Sequence, residues 1–449
     1  MPSTNTLPRD IASAYAAAAA RIISWIIISA LVYRHDGAGA FAMLALVRAT
    51  LGLLNYTTIG LAPAMIHFLP HSAQQSTPHA GHSLERLYAN GIALAWAAAL
   101  LGIALLLAYA VWFQHGHSAV PNVSPSQLRV LLVTMGIGTI LRLASDPASA
   151  LLQIRGHLAL DNAFLAAAEL IWIVLALLGS ATPGQVGLDF ALASLLLLIA
   201  RSGWGYRLSG VALPGFDQIQ PAILRGLLAF GVVVTLAQVA DFLYAPTDYI
   251  LIDRLLRPID VATYAPAVQI DGGLLVLVTA LASVVLPKAA LAHAAGDHVA
   301  LKRYYLLGTA ASAALLAAAG LGIWWLAPLI FRIWLGNPMP LTQAILPLVL
   351  INTVIGGSSA VGRSILLGAG LVKPFAASVL IAGLTNVVCS IAFVHYAHAG
   401  LTGIVLGTSV AVLGRCIIWT PWYVLRTLHR GELIAATATP SAAGALGGV

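Results

Sequence analysis

Residues 11–33, IASAYAAAAARIISWIIISALVY, form an apolar run that is followed, after a short polar break, by a second run at residues 40–66, AFAMLALVRATLGLLNYTTIGLAPAMI. An α-helix needs about 20 apolar residues to cross the roughly 30 Å hydrocarbon core of a bilayer, and both runs exceed that length. A single arginine interrupts the middle of each run, Arg21 in the first and Arg48 in the second. The two runs therefore predict membrane helices that each carry an interior cation.

The composition of the whole chain also indicates a membrane protein. Of its 449 residues, 60% are apolar and 8% are charged, whereas soluble proteins carry about 25% charged residues. So few charges exclude a cytosolic enzyme, a disordered protein and a nucleic-acid-binding protein, despite a formal net charge of +7. The two cysteines, Cys389 and Cys416, exclude a disulfide framework. A mean hydropathy of +0.93 indicates a polytopic membrane protein.

Twelve apolar segments, separated by polar residues, proline or glycine, are predicted to be transmembrane helices. They lie at residues 11–33, 40–66, 88–113, 129–153, 159–179, 186–207, 223–251, 261–287, 303–327, 342–367, 371–396 and 401–426. None of them sustains the strict apolar–polar alternation of a membrane β-barrel. The opening MPSTNTLPRD lacks the order of a signal peptide, so we expect the first run to be retained. The predicted fold class is an all-α polytopic membrane protein.

Lysine and arginine predict the orientation of these helices, because both residues accumulate at cytoplasmic ends. With the N-terminus inside, 12 of the 22 lysines and arginines fall in cytoplasmic segments and 5 fall on the opposite side. We therefore expect both termini to face the cytoplasm.

Weak internal similarity divides the chain into two halves, as in transporters built from structural repeats. Phe41 and Tyr264 open the second helix of each half, and Pro63 and Pro287 close it. We predict two six-helix lobes related by an internal repeat. The predicted order is an N-terminal cytoplasmic segment, a first lobe, a cytoplasmic linker, a second lobe and a disordered cytoplasmic tail, at residues 1–10, 11–207, 208–222, 223–426 and 427–449.

Three passages carry a resemblance to a known family. They lie at residues 34–41 with 59–61 and 67–70, at 248–252 with 261–265, and at 286–287 with 295–297. In these passages and in its overall layout, the chain resembles the polysaccharide transporter family of the multidrug/oligosaccharidyl-lipid/polysaccharide exporter superfamily. It departs from the family pattern at Ala245-Pro246-Thr247, just before Asp248.

The resemblance implies a function in a bacterial inner membrane. The expected activity is flipping of an oligosaccharide linked to undecaprenyl diphosphate, by alternating access, for lipopolysaccharide or exopolysaccharide synthesis. The implied partners are the polyprenyl-diphosphate-linked oligosaccharide, membrane lipids, and the polysaccharide polymerase and chain-length machinery, with no nucleic acid.

We expect neither a cofactor nor an enzyme. The sequence contains no G-x-x-x-x-G-K-[ST] P-loop and no Ser/His/Asp set with recognisable spacing. His67, His71, His79 and His82 crowd one loop, but a zinc site needs firmer spacing and partners, so we interpret this loop as a hydrophilic linker.

The interior arginines of the first two spans are the principal candidate site residues, because a charge at the bilayer centre costs about 2.5–3.5 kcal/mol. Arg21 and Arg48, with Asn55 on the same stripe as Arg48, are predicted to line a central cavity and bind the diphosphate of the carrier lipid. Arginine suits phosphate because its planar fork donates two parallel hydrogen bonds. Alternatively, each arginine caps carbonyls or pairs with Glu169 or with an acid of the second lobe.

Two further groups of polar residues lie inside predicted spans. Asn352, Ser359 and Arg363 form one polar stripe, which faces either the substrate cavity or only another helix. Arg142 and Asp146 are four residues apart on one predicted helix, so we expect a structural ion pair that neutralises itself.

The acids of the seventh span are candidates for ion coupling. Asp241 is the residue predicted to carry a coupling proton or sodium ion. For Asp248, seven residues later, we expect a capping role or a pair with Arg254 or Arg257 near the outer interface.

Two other functions compete with the flippase. A cation-coupled drug antiporter of the same superfamily would favour acids in its early helices, but spans 1–3 contain arginines and no Asp or Glu. A membrane glycosyltransferase or polymerase would show a sizeable outer loop with paired acids, but the longest predicted outer segment, 114–128, carries no carboxylate. The sequence therefore favours an anionic cargo.

Overall fold

The structure is a computed structural model that describes residues 7–52, 54, 57, 61, 64–65, 84–114, 124–209, 215, 218–242, 245–294, 297–368 and 371–438. Within these ranges the side chains are described except those of residues 7, 8, 11, 113, 114, 154, 209, 230, 233–242, 245, 279–294, 367, 368, 372, 373 and 430–438.

The described residues form helices and contain no β-strand. Along the described residues, the first helices are α1 (Leu7–Leu51), α2 (Leu84–Gln114), α3 (Pro125–Ala144), α4 (Asp146–Ile154), α5 (Leu158–Leu178), α6 (Pro183–Ser209), α7 (Pro221–Phe242) and α8 (Ala245–Leu255). A 3₁₀ turn at Pro258–Asp260 precedes α9 (Val261–Ala294), α10 (His298–Leu335), α11 (Pro340–Ser358), α12 (Ala360–Gly368), α13 (Val372–His395) and α14 (Gly400–Val412). A π-helical segment, Leu413–Trp419, leads into α15 (Thr420–Ala438).

The structure confirms the all-α polytopic fold. In the described part of the chain, ten apolar segments are long enough to cross a membrane. Eleven of the twelve predicted spans begin within one of the helices above, and the span at 371–396 begins one residue before α13. Span 2 continues past residue 51 into a region that is only partly described. The orientation of the termini stays a prediction.

Helix α1 contains two of the predicted spans, and Gly37 separates them. Gly37 has φ 82° and ψ −172°, a backbone conformation that glycine adopts without the steric penalty of a Cβ atom. Trp25 and Arg48 lie on either side of Gly37 and contact each other, although a straight helix would place them about 34 Å apart. The chain therefore folds back at Gly37.

The two halves share a second kind of break. Predicted span 4 consists of α3 and the nine-residue α4, which are separated at Ser145. Predicted span 10 consists of α11 and the nine-residue α12, which are separated at Ser359. Equivalent breaks at equivalent spans are what an internal repeat predicts.

The chain divides into two compact units. Unit 1 comprises Met1–Phe242, Ile252–Ala262 and Phe331–Asn337, and unit 2 comprises Leu243–Leu251, Thr263–Ile330 and Pro338–Val449. Tyr88 lies in a core cluster of unit 1 that also contains Ile223 and Leu227 of α7. Helix α7 thus packs within unit 1, although the sequence assigns it to the second lobe.

Candidate functional site

Unit 1 contains a cavity of about 370 Å³ lined by side chains of α1, α3, α4, α5 and α6. The charged part of its lining consists of four arginines and two acids. These are Arg21, Arg48, Arg142, Arg201, Asp146 and Glu169. The structure thus brings the two arginines that the sequence singled out, Arg21 and Arg48, into the wall of one cavity.

An aromatic ring holds Arg48 in place. The guanidinium carbon of Arg48 lies 3.8 Å from the ring centre of Trp25, and Trp25 itself is buried. A guanidinium over an indole ring gains cation–π attraction and keeps the edges of its fork available for hydrogen bonds. This contact could not be predicted from the sequence, because the two residues meet only when α1 folds back at Gly37.

Glu169 pairs with an arginine other than the two expected. Its Oε1 lies 2.6 Å from Nη1 of Arg142, and its Oε2 accepts a hydrogen bond of 2.5 Å from the Ser24 hydroxyl. Arg142 also donates to Ser194 Oγ at 3.0 Å and lies over the Phe190 ring at 4.4 Å. Glu169, the alternative partner predicted for Arg21 and Arg48, is therefore paired with Arg142.

The predicted ion pair between Arg142 and Asp146 is wrong. The prediction assumed one continuous helix, in which residues four apart share a face. Helix α3 instead ends at Ala144, and Ser145 accommodates the break before α4 begins at Asp146 with Pro147 after it. Arg142 forms its ion pair with Glu169, on α5, instead.

The second arginine–acid pair of this region lies beside the cavity. Nε of Arg201 lies 2.8 Å from Oδ1 of Asp161, and Nη1 of Arg201 donates to Ser145 Oγ at 2.9 Å. The other oxygen of Asp161 accepts hydrogen bonds from Ser149 and Gln153 at 2.7 and 3.2 Å. Both residues are buried, so each charge has an opposite charge beside it, which offsets part of the cost of burial.

The ion pairs leave the cavity lining positive. Arg142 is matched by Glu169 and Arg201 by Asp161. In all, the charged lining contains four arginines and two acids. A cavity with this charge balance suits an anion.

Three other predicted site residues, Asn352, Ser359 and Arg363, are not among the residues that line this cavity. Asn55 lies outside the described residues, and so does the side chain of Asp241. Ser359 lies at the break between α11 and α12, donates to the Gly356 carbonyl at 2.7 Å and lies 3.2 Å from the Cys416 sulfur. The stripe of Asn352, Ser359 and Arg363 is therefore spread over two helices, with Arg363 exposed. Its role in substrate binding stays a prediction.

Unit 2 contains a buried acid whose environment the sequence did not predict. Oδ2 of Asp248 accepts hydrogen bonds from the Tyr264 hydroxyl at 2.7 Å and the Thr408 hydroxyl at 2.8 Å, and Oδ1 accepts one from the Asn386 amide at 2.8 Å. The expected pair with Arg254 or Arg257 is wrong, because these arginines pair with Asp253 and Asp260. The donors come from α9, α13 and α14, so only the packed unit brings them together.

The Asp248 cluster offers oxygen atoms of a carboxylate, two hydroxyls and an amide in one buried place. Such a set suits a proton or a small hard cation. Among the residues that the structure describes, no three or more His, Cys, Asp and Glu side chains are grouped as metal ligands. The histidine-rich loop at residues 67–82 lies outside the described residues.

The fold is shared with membrane transporters of known structure. A multidrug resistance MATE family transporter of the MOP superfamily, in an inward-facing conformation, aligns with a TM-score of 0.72 and 16% identity over 92% of this chain and 95% of its own. The lipid II flippase MurJ, in an inward closed conformation, aligns with a TM-score of 0.71 and 14% identity over 95% and 91%. The chain shares its fold with these two proteins.

Two further comparisons complete this picture. A MOP superfamily transporter from Pyrococcus furiosus, described as having a binding pocket of reverse polarity, aligns with a TM-score of 0.60 and 14% identity over 95% of this chain and 96% of its own. A family model described as "Polysaccharide biosynthesis protein" matches residues 218–340. No curated protein matches the chain.

These comparisons confirm the resemblance to the exporter superfamily that the sequence indicated. The similar structures are transporters and a flippase rather than enzymes. The chain is therefore a multi-pass membrane protein with a transporter fold.

Proposed function

We propose that this protein flips an oligosaccharide linked to a polyprenyl diphosphate across the bacterial inner membrane by alternating access, for surface or exopolysaccharide synthesis. One observation carries the proposal. Arg21 and Arg48 line one cavity of unit 1, and the lining of that cavity contains four arginines and two acids.

The electrostatics of the cavity favour a diphosphate over a neutral or cationic cargo. A charge at bilayer depth is costly unless a counter-charge or water accompanies it. A diphosphate that enters the cavity supplies negative charge to Arg21 and Arg48, and each guanidinium can donate two parallel hydrogen bonds to it. The match of residues 218–340 to a polysaccharide biosynthesis family supports a glycan as the remainder of the cargo.

The Asp248 cluster supplies a candidate coupling site for the same transport cycle. Its carboxylate is buried and is surrounded by neutral donors, so uptake of a proton or a sodium ion changes the net charge of the cluster. The coupling role predicted for Asp241 stays a prediction, and both termini are proposed to face the cytoplasm, where the lipid-linked substrate is assembled.

A cation-coupled drug antiporter is the second candidate, because a MATE multidrug transporter shares the fold as closely as the flippase does. The cavity charge argues against it, since a cationic drug would be repelled by the excess of arginines. Deletion of the gene for this protein distinguishes the flippase from the antiporter. We expect lipid-linked oligosaccharide to accumulate in the cytoplasmic leaflet of the deletion strain. Normal glycan export with new sensitivity to cationic drugs would favour the antiporter.

Complementation with Arg48 variants tests the cavity directly. At matched expression, we expect R48A to lower export by about tenfold or more, because a charge-assisted hydrogen bond contributes about 1.5–3 kcal/mol. R48K should retain part of the export, because lysine keeps the charge but loses the planar fork.

Arg207 offers a matched control. Its guanidinium carbon lies 5.6 Å from the Trp204 ring centre, in a second arginine–tryptophan contact outside the cavity lining. R207A should export normally. If both R48A and R48K also export at the wild-type rate, the proposed function is wrong.

A further inference from the structure

Unit 2 contains a groove beside α13 and α14, because these helices are in close contact at one point and separate further along. Gly403 and Gly407 of α14 have the G-x-x-x-G spacing that lets membrane helices approach closely. A Cβ atom on Gly407 would lie 2.6 Å from the backbone nitrogen of Ser390, on α13. At Gly414, in the π-helical segment after α14, no atom of another described helix lies within 4 Å of the position that a Cβ atom would take. The space beside Gly414 is therefore open.

The groove has a volume of about 470 Å³ and a largely apolar lining. One wall is α13, and the other is α14, the π-helical segment Leu413–Trp419 and α15. Ile381, Val410 and Trp422 belong to the lining and are exposed. Exposed apolar side chains of a membrane helix face acyl chains, which are as apolar as leucine. The groove thus opens towards lipid and suits an acyl chain.

One cation is built into this apolar groove. Among the described residues of the lining, Arg415 is the only one with a charged side chain, and it is partly buried. It lies in the π-helical segment, where the Thr420 amide donates to the Arg415 carbonyl, and π-helical turns occur frequently at functional sites. A guanidinium has five N–H donors. Arg415 can therefore bind an anion in addition to its contacts within the protein.

The surrounding sequence carries cations and no acids. Residues 298–431, which include α13, α14 and the π-helical segment, contain no Asp or Glu. The guanidinium carbon of Arg426 lies 5.0 Å from the ring centre of Trp422, which lines the groove. The charge of this region therefore favours an anionic occupant over a neutral one.

Aromatic side chains indicate the depth of the groove in the membrane. The rings of Trp419 and Tyr423 are stacked, with their centres 4.9 Å apart, and the ring centre of Trp422 lies 6.2 Å from that of Tyr423. All three residues line the groove. Tryptophan and tyrosine are enriched at the level of lipid head groups. Arg415 lies about one turn before Trp419, so the groove offers a cation near the head groups and an apolar surface for a chain.

We propose that this groove binds an anionic phospholipid of the surrounding bilayer, with the phosphate on Arg415 and an acyl chain along α13. Arginine suits this role because its planar fork donates two parallel hydrogen bonds to a phosphate. The groove shares no residue with the arginine cavity of unit 1. The lipid site is therefore independent of the proposed function.

Native mass spectrometry of the purified full-length protein in detergent tests the lipid site. The probes are phosphatidylglycerol, which is anionic, and phosphatidylcholine of the same acyl chains, which is neutral overall. We expect the wild type to bind phosphatidylglycerol about tenfold more tightly, because charge-assisted hydrogen bonds are strong enough for such a difference. R415Q should lose this preference. R415K should retain part of it, because lysine keeps the charge but loses the planar fork.

Gly414 offers a variant that leaves Arg415 in place. Gly414→Leu fills the open space of the groove, and we expect it to weaken the binding of both lipids by about tenfold, as displacement of about two methylene groups would. Gly322→Leu is the matched control, because Gly322 on α10 also has open space beside it and lies outside the groove lining. R207Q is the control for charge, because Arg207 also contacts a tryptophan and lies outside this lining. Both controls should bind phosphatidylglycerol as the wild type does.

Several results would exclude the lipid site. One is a wild type without a preference for phosphatidylglycerol, and another is a folded R415Q that keeps the preference. If R207Q loses the preference as R415Q does, net charge alone determines lipid binding and the proposed site is wrong. If R415Q does not fold, unchanged lipid binding by Gly414→Leu would overturn the proposal.

Two competitors distinguish a bilayer lipid from other sources of phosphate. Neither inorganic phosphate nor farnesyl diphosphate, a soluble diphosphate with a short polyprenyl chain, should displace phosphatidylglycerol at an equal concentration. Displacement by inorganic phosphate would indicate a site for an anion without a lipid chain. Displacement by farnesyl diphosphate alone would assign the groove to a polyprenyl carrier. Either displacement would overturn the proposal of a phospholipid site.

Discussion

In unit 1 the carboxylate of Glu169 lies 2.6 Å from the guanidinium of Arg142, whereas in unit 2 the carboxylate of Asp248 is surrounded by Tyr264, Asn386 and Thr408, all neutral. Both acids are buried. The first is stabilised by an opposite charge and the second by dipoles. An acid of the first kind serves to hold a cation, whereas an acid of the second kind can change its own charge without leaving a partner unmatched.

The difference extends to the surroundings of each acid. The Glu169 pair lies in the wall of a cavity with three further arginines, so unit 1 is organised to present positive charge. The described side chains that contact Asp248 include no lysine or arginine, so its cluster is suited to taking up a small cation. The same fold thus carries a proposed anion-binding site in one half and a proposed ion-coupling site in the other.

Neutralising Glu169 should produce the largest effect on stability. Glu169→Gln leaves Arg142 charged and without its acid, and breaking a buried ion pair costs about 3–5 kcal/mol. We expect a lower melting temperature for the purified protein in detergent. The double variant Arg142→Gln/Glu169→Gln should recover most of the loss, because it removes both charges. If Glu169→Gln alone is as stable as the wild type, Glu169 is not the counter-charge of Arg142.

Neutralising the buried acid of unit 2, Asp248, should lower the stability of the protein much less. Asp248→Asn keeps the shape of the side chain and leaves no cation without a partner, so we expect a loss of about 1 kcal/mol, the net contribution of a typical hydrogen bond. Its effect should appear instead in transport, as loss of dependence on an ion gradient. Asp248→Asn that retains this dependence would remove Asp248 as the coupling residue. A stability loss equal to that of Glu169→Gln would erase the distinction between the units.

The smallest expected loss of stability is for a variant at Thr353. It tests whether hydrogen bonds from neutral donors stabilise the acids of unit 2. Thr353 donates to Oδ1 of Asp271 at 2.6 Å. Thr353→Val keeps the shape and removes the donor, and we expect a loss of about 0.6 kcal/mol, the average for side-chain hydrogen bonds measured within a membrane protein. Thr385→Val is the control, because the Thr385 hydroxyl donates to a carbonyl of its own helix, that of Ile381. A larger loss for Thr385→Val than for Thr353→Val would contradict the assignment.

The positions of the helices could be predicted from the sequence, because the cost of exposing a polar backbone to lipid forces every long apolar run into a helix. Arg21 and Arg48 could be singled out for the same reason, since each interrupts such a run. Their common cavity and the stacking of Arg48 on Trp25 could not be predicted, because they depend on the backbone turn at Gly37. The helical periodicity of a sequence predicts which residues are neighbours on one helix, but it does not predict contacts between helices.

The incorrect partner predicted for Arg142 shows the limit of predictions from helical spacing. The spacing to Asp146 was measured along an ideal helix, but the break at Ser145 ends that helix one residue before the acid. The true partner, Glu169, is 27 residues away and lies on another helix. Asp248 is a similar case, since its donors come from three different helices.

The amino-acid sequence alone determined that this protein is a bundle of membrane helices with arginines in the interior of the first two, because hydropathy is a property of each local run. Only the tertiary structure decided which acid neutralises which arginine and which side chains share the cavity. The physical reason is that a charge buried in a membrane pairs with an opposite charge on a neighbouring helix. Which helices are neighbours depends on the packing of residues far apart in the chain.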